Sequence, residues 1–344
     1  MEKIRWGIIG CGDVTEVKSG PALQQAVGSE LVAVMRRNAG QAEDYARRHG
    51  VARWYGDADS LMNDPDVTAV YVATPPGSHC EYALRVCSIG KPAYVEKPMA
   101  RNNSECVRMM TAFRERGQKL FVAYYRRALP RFLKAKEVID SGSLGMLSGV
   151  YYRYEDPQRH EDPAVLPWRY RAEDAGGGLF FDLGSHALDI LDFLLGPLQD
   201  VAGIASNRTS ANDVEDNVVM HWRWVSGILG TASWNFCGCE HQDRLEIVGT
   251  QGRIRLSVFG DEPVQVRTGS KVETFDLPNP RHIQQPLIQT IVDDLLGRGT
   301  CPSTGASAAR TARVMDLVTA SYYGSRDVDF WNAPQQWPGR KLTD

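Results

Sequence analysis

Asp182 and His186 stand four residues apart in a stretch otherwise rich in Leu, Phe and Ile. On a helix that spacing puts both polar side chains on one face. An imidazole changes charge near neutrality and suits the transfer of a hydroxyl proton, and a nearby carboxylate can hold its tautomer or tune its basicity. A satisfied core histidine, or a metal pair short of its third ligand, would show the same spacing. Glu96-Lys97-Pro98 follows a short apolar run, where a strand would leave its sheet. A lysine there can donate to a reacting oxygen and steady its negative charge. Glu96 can accept from cofactor hydroxyls, and an X-Pro bond can be cis and fix the turn. In isolation the tripeptide also reads as a surface lysine before a proline at the first helical position.

A third stretch, Ile4 to Thr15, is an apolar run leading into Gly10-Cys11-Gly12-Asp13-Val14-Thr15. In a dinucleotide fold Gly10 would make the tight turn and Gly12 would let a pyrophosphate approach the backbone. The helix opening at Asp13 and Val14 would offer free N–H groups and its positive dipole end. Thr15 occupies the third glycine position, so the fingerprint is imperfect. The acid that grips the ribose of NAD is expected about 20 residues later. Here the second strand ends Val34-Met35-Arg36-Arg37-Asn38, without a carboxylate. Two guanidiniums suit a 2′-phosphate, which favours NADP(H) while leaving NAD(H) open; a solvated arginine pair is the plain alternative.

The elements that must position these groups come in two styles. Apolar runs at Glu30 to Met35, Val67 to Ala73, Pro92 to Val95 and Lys119 to Ala123 alternate with helical stretches. That alternation implies a Rossmann-type, doubly wound α/β domain with a parallel sheet over residues 1–123. From Tyr124 the chain reads as an α+β domain over 124–344. It contains a long amphipathic helix after Gly176-Gly177-Gly178 that stops at Gly196-Pro197, then a run of strands forming an open, mostly antiparallel sheet. Closing helices are expected at Ile283 to Leu296 and Ala306 to Tyr322, with the C-terminal one able to pack back on the first domain.

With 24% charged residues and a net charge of -3, nothing calls for a nucleic-acid or membrane-surface partner. The apolar helix Leu183 to Leu195 is interrupted by His186, Asp189 and Asp192, which argues against a membrane span. Met1-Glu-Lys runs straight into the first strand, so no signal peptide is expected. Seven scattered cysteines point to a reducing, cytoplasmic setting. Cys237 and Cys239 form the one close pair. A metal site there would need partners, of which His241 is the sole nearby candidate, and two strand-end thiols are the simpler account.

The chain resembles the glucose–fructose oxidoreductase / inositol dehydrogenase family of two-domain NAD(P)-dependent sugar oxidoreductases. The resemblance rests on motifs in order: GIIGCGDV, VYVATPPGSH (Val70 to His79), YVEKPMA (Tyr94 to Ala100), VAYYRRALP (Val122 to Pro130) and GGGLFFDLGSHALDILDFLLG ending at Gly196. It implies that Lys97 is the catalytic lysine and that Asp182 and His186 are its Asp and His partners. Thr74, Pro75 and His79 would fall on the loop passing the nicotinamide ribose, with Glu96 on the nicotinamide side. Trp168-Arg169 resembles a pair that reaches the cofactor in anhydrofructose-reductase-like members; a packed Trp with a rim Arg is the alternative. Thr15 and Arg36 are the departures, and the second agrees with NADP.

The expected reaction is hydride transfer at a secondary alcohol or hemiacetal carbon of a sugar or polyol. His186 would take the hydroxyl proton, Lys97 would steady the alkoxide and Asp182 would position His186. A non-catalytic NADP-binding sensor is the rival reading, and a metal-dependent lyase or hydrolase a third. Tyr124, Tyr125 and the segment Pro157 to Arg171 would line the substrate pocket. Arg126 and Arg127 could bind an anionic substrate, contact the cofactor or be solvated charges at a domain junction. A homodimer or homotetramer joined through the open sheet is implied by the resemblance. The aromatic-rich strands Met220 to Trp224 and Ala232 to Phe236 would suit that contact or packing against the domain's own helices.

Overall fold

The computed structural model describes residues 3–157, 166–208, 212–327 and 329–340. In chain order the first strands and helices are β1 (Ile4–Ile9), α1 (Gly20–Gln25), β2 (Ser29–Met35), α2 (Ala39–His49), β3 (Arg53–Tyr55), α3 (Ala58–Met62) and β4 (Ala69–Val72). They continue with α4 (His79–Ser88), β5 (Ala93–Val95), α5 (Asn103–Glu115) and β6 (Leu120–Val122). The strands pair in parallel in the order β3-β2-β1-β4-β5-β6. β4, β5 and β6 are buried along their whole length, as unbroken apolar runs require in a sheet covered on both faces. β3 and α3 had no counterpart in the sequence reading. β3 is a three-residue edge strand with half-exposed side chains, too short for a period to register.

The remaining elements are α6 (Pro130–Asp140), β7 (Leu147–Pro157), α7 (Ala172–Ala175), α8 (Ser185–Leu195), β8 (Gln199–Ser206), β9 (Asn217–Arg223) and β10 (Leu229–Gly238). After these come β11 (Gln242–Gly249), β12 (Gly252–Leu256), β13 (Val264–Thr268), β14 (Lys271–Phe275), α9 (Gln285–Leu295) and α10 (Gly305–Tyr323). The second sheet runs β14-β13-β12-β11-β7-β10-β9-β8, antiparallel except where β10 pairs in parallel with β7.

Two compact units result. One comprises Met1–Ala100, Glu105–Leu129 and Pro280–Ala309; the other comprises Arg101–Ser104, Pro130–Asn279 and Arg310–Asp344. A single cut at 123/124 differs from this division chiefly in α9, which follows the second sheet in sequence yet belongs with the first.

The inner face of the second sheet is its core. Met220, Trp222, Ala232, Trp234 and Phe236 are all buried, and each large apolar side chain so removed from water contributes about 1.5–3 kcal/mol. The aromatic stripe of β9 and β10 therefore packs inward and is not an outward contact surface. The outward positions of the same sheet are Tyr151, Ile204, Val219 and Leu229, all exposed. α8 also departs from expectation. It is buried nearly all round, His186, Asp189 and Asp192 included, rather than along one stripe. Asp192 tolerates this because Arg310 binds both its oxygens, at 2.8 and 2.7 Å. Among the described residues no helix is long and apolar enough to cross a membrane.

Candidate active site

In the first unit β1 is followed by Gly10, whose φ of +90° few residues other than glycine adopt. The backbone N–H groups of Gly10 and Cys11 both donate to Met35 O, at 2.9 and 3.1 Å. A Cβ on Gly10 would lie 2.7 Å from Thr74 Cγ2, so the loop after β1 touches the loop after β4. Those strands flank the point where the sheet order reverses, which is where a crevice opens in such sheets. At Gly12 an added Cβ would meet nothing nearer than Gly10 O, at 3.9 Å, which leaves the backbone open to a ligand. Asp13 is exposed and Val14 half-buried at the helix start.

Thr15 fills the third glycine position by closing the loop on itself. It is fully buried, and its hydroxyl donates to Gly12 O at 2.7 Å. Thr15–Ser19 is a π-helical turn, with Tyr45 Oη donating to Thr15 O at 2.8 Å. Arg36 and Arg37 are exposed past the end of β2, while the Asn38 side chain caps α2 by accepting from Gln41 N. Glycine backbone and helix start form a donor set that fits the phosphates of a dinucleotide.

The next loop is braced from within. Ser78 Oγ donates to Thr74 Oγ1 at 2.7 Å and to Pro75 O at 3.1 Å. His79 is fully buried, with Nε2 2.7 Å from Thr74 O and Nδ1 3.0 Å from Pro98 O. Burial pushes its pKa below the usual histidine range. The ring thus ties the Thr74 loop to the turn after Lys97, with both nitrogens on backbone carbonyls instead of facing a cofactor. Lys97 is half-buried, and its peptide bond to Pro98 is cis.

Glu96 also turns inward. Its Oε1 accepts from Tyr71 Oη at 2.5 Å and Gln284 Nε2 at 2.7 Å, and its Oε2 accepts from Lys97 N at 3.1 Å. A buried carboxylate needs such donors, so here they come from the protein rather than from cofactor hydroxyls. Tyr94 Oη donates to Gln284 Oε1 at 2.7 Å, and the Tyr71 and Tyr94 rings stack at 4.6 Å. Burial, followed by the Glu96 charge, raises both phenols well above the ordinary tyrosine range. Tyr71 and Gln284 were missed in the sequence. Tyr71 and Tyr94 hold equivalent places in paired strands, a signal that appears only once strand order is known.

Past β6, Tyr124, Tyr125, Arg126 and Arg127 are all buried. Arg127 Nη1 donates to Pro302 O at 3.0 Å, and Arg126 Cζ lies 5.0 Å from the Tyr125 ring centre. They are not solvated charges.

In the second unit Asp182 lies on a π-helical turn, Phe180–Gly184, that leads directly into α8. The two polar residues therefore straddle a junction between helix types, not one regular α-helix. Widened turns of this kind recur at functional sites. Asp182 Oδ2 accepts from Arg169 Nε at 3.1 Å, and Arg169 Cζ sits 4.3 Å from the Trp168 ring centre. The Trp-Arg pair thus reaches Asp182, a contact 13 residues apart in sequence that no local pattern announced. His186 is buried, its ring edge-on to Phe259 at 6.0 Å.

Of the segment Pro157 to Arg171 expected to line a pocket, 158–165 lie outside the described residues. Cys237 Sγ is 3.0 Å from Asn235 Oδ1, and His241 Nδ1 is 3.1 Å from Asp156 Oδ1. Among the described residues no group of three or more His, Cys, Asp or Glu could hold a metal ion.

Comparison with known proteins agrees with this architecture. Residues 4–124 match the model described as oxidoreductase family, NAD-binding Rossmann fold, and residues 132–255 match the GFO/IDH/MocA C-terminal domain. The chain is 37% identical to Oxidoreductase P35 of Formosa agariphila over 92% of this chain and 98% of the relative. It is 29% identical to 1,5-anhydro-D-fructose reductase of Ensifer adhaerens over 88% of this chain and 91% of that one. Levoglucosan dehydrogenase, solved in complex with NADH and levoglucosan, superposes with a TM-score of 0.82 at 22% identity, covering 92% of this chain and 96% of that one. With a Rossmann sheet, an open antiparallel sheet and both family models in sequence, the chain belongs to the GFO/IDH/MocA family of oxidoreductases.

Proposed function

We propose that this chain is an NADP(H)-preferring oxidoreductase that interconverts a secondary alcohol or hemiacetal with a carbonyl on a sugar, polyol or related small molecule. The observation that carries this reading is the pairing of Asp182 with Arg169 one turn before His186, in a family member whose other motif presents Lys97. A sensor would need neither the imidazole nor the ammonium. A bound nicotinamide supplies the hydride acceptor or donor. In the oxidative direction His186 removes the hydroxyl proton, and Lys97 steadies the oxygen as it becomes negative. Asp182, held by Arg169, orients His186. Glu96 holds the Lys97 backbone from inside the sheet, with Tyr71 and Gln284 holding Glu96. Tyr124 and Arg126 are the further residues assigned to substrate. Small sugars and polyols are named by several relatives, among them 1,5-anhydro-D-fructose reductase and levoglucosan dehydrogenase.

The preference for NADP(H) rests on Arg36 and Arg37, which extend past β2 where an acid would serve NAD. A charge-assisted hydrogen bond contributes about 1.5–3 kcal/mol. Arg36→Ala should therefore weaken NADPH binding about tenfold or more while leaving NADH within about twofold, measured by titration calorimetry. Equal effects on both cofactors would remove the 2′-phosphate assignment. Turnover of a ketose and polyol panel with each cofactor tests the function itself, and tight NADPH binding with no turnover on any member would favour the sensor.

The outward face of the second sheet, with Tyr151, Ile204, Val219 and Leu229 exposed, is the surface we assign to a homodimer or homotetramer. Sedimentation equilibrium should give two or four chains per particle; a single chain contradicts it.

A further inference from the structure

Gly176-Gly177-Gly178 leads into the π-helical turn of Asp182, and buried polar groups grip it at both ends. At one end Arg326 Nη2 donates to Gly176 O at 2.5 Å and to Arg101 O at 2.7 Å. At the other, Gly178 N donates to Glu215, 3.0 Å from Oε1 and 2.9 Å from Oε2. Tyr323 Oη donates to the same carboxylate. The two grips share a frame. Arg326 is buried, with Cζ 4.1, 4.8 and 4.2 Å from the ring centres of Phe181, Tyr323 and Phe330. Its Nε donates to Asp316 Oδ1 at 2.7 Å, and Asp316 Oδ2 accepts from Asn103 N at 2.8 Å. The glycines are what allow so close an approach. A Cβ at Gly176 would lie 2.4 Å from Arg101 O, and one at Gly178 would lie 2.4 Å from Glu215 O.

We infer that Glu215 and Arg326 are positioning residues, a buried clamp that fixes the triple-glycine strap and through it the placement of Asp182 and His186. Two ionisable groups held this deeply are expensive. Burial lifts the Glu215 carboxyl to about 7, against the opposing pull of Tyr323, the Gly178 amide and the Arg326 charge. An apolar pair would brace the fold as well or better. What it could not do is bind the Gly176 carbonyl and the Gly178 N–H, the two backbone groups that set where the next turn begins. The clamp acts only through the helix start, so it neither touches substrate nor needs a ligand of its own.

This inference rests on the proposed role of His186, and the test separates the two. Glu215→Gln keeps the size of the side chain but loses one equivalent acceptor and the charge. It should lower kcat about tenfold or more, since displacements of about 1 Å carry penalties up to 10²-fold, with the dissociation constant for NADPH unchanged. In a His186→Asn background the same substitution should cost nothing further, because residues that act as a unit are not additive. A full extra tenfold loss in that background, or unchanged kcat in the single variant, overturns the clamp. Hydrogen exchange gives a reading independent of catalysis. In Glu215→Gln the amides of 176–186 should exchange faster while those of β1 do not, and unchanged exchange there also overturns it. Should His186→Asn itself retain full turnover, the proposed mechanism falls, and exchange alone decides the clamp.

Discussion

His186→Asn is expected to lower kcat/KM by at least about 10²-fold while NADPH binding stays at the wild-type level. General acid–base catalysis by a positioned side chain contributes about 10²–10⁴-fold, and asparagine keeps hydrogen-bonding capacity but cannot cycle a proton. The ring is buried on α8 within the second unit. The glycine loop, the Thr74 loop and Arg36 all belong to the first unit, so cofactor affinity has no reason to change. A companion change refines the result. Arg169→Ala would remove the 3.1 Å hydrogen bond to Asp182, and a smaller loss than that of His186→Asn is expected, because in the proposed mechanism Arg169 acts through that carboxylate. Steady-state kinetics with calorimetric cofactor titration measures both, and near-wild-type turnover of His186→Asn would remove the imidazole from the reaction.

The second large effect belongs to Lys97. Lys97→Met keeps most of the stem and deletes the ammonium. Removing one donor to a developing oxyanion costs about 10²–10³-fold, or about 2.7–4 kcal/mol. The loss should fall mainly on kcat, since charge on the oxygen is greatest in the transition state. Lys97→Arg should not restore the rate, because a planar guanidinium delivers its donors in a different geometry from a compact ammonium. The backbone at this point is held by Glu96, Tyr71 and Gln284, so neither variant should shift the unfolding midpoint by more than a few degrees. A KM effect with unchanged kcat would assign Lys97 to ground-state binding only.

What the sequence revealed, and what it hid, follows from how local each signal is. β1, the glycine turn, β2, β4, β5 and β6 were legible because apolar runs between helical stretches have few other meanings, whereas the three-residue edge strand β3 was not. The strands of the second sheet were legible as short runs bounded by turn residues. The direction of its aromatic face was not, because period two says which residues share a face but not which face is wet.

The site divides similarly. Asp182 and His186 could be singled out as polar groups interrupting an apolar stretch, and Lys97 as a cation where a strand leaves its sheet. Their supports could not: Gln284 lies 188 residues from Glu96, and Arg169 lies 13 from Asp182. Glu96 and His79 were read as facing a ligand because their motif is local. Their burial, with donors and carbonyls supplied by other parts of the first unit, is decided by packing. Thr15 looked like a defect in the fingerprint and is instead a loop-closing hydroxyl. The π-helical turn beneath Asp182 has no sequence signature at all.

The central claim is that this protein moves hydride between a nicotinamide and a carbinol carbon. The most direct measurement uses NADPH deuterated at C4 with a panel of ketoses and ketopolyols, and mass spectrometry of the products. The wild-type protein should place one deuterium at the new carbinol carbon of at least one substrate, and His186→Asn should form that product at least about 10²-fold more slowly. Bound NADPH that keeps its label across the whole panel, with no reduced product, would contradict it.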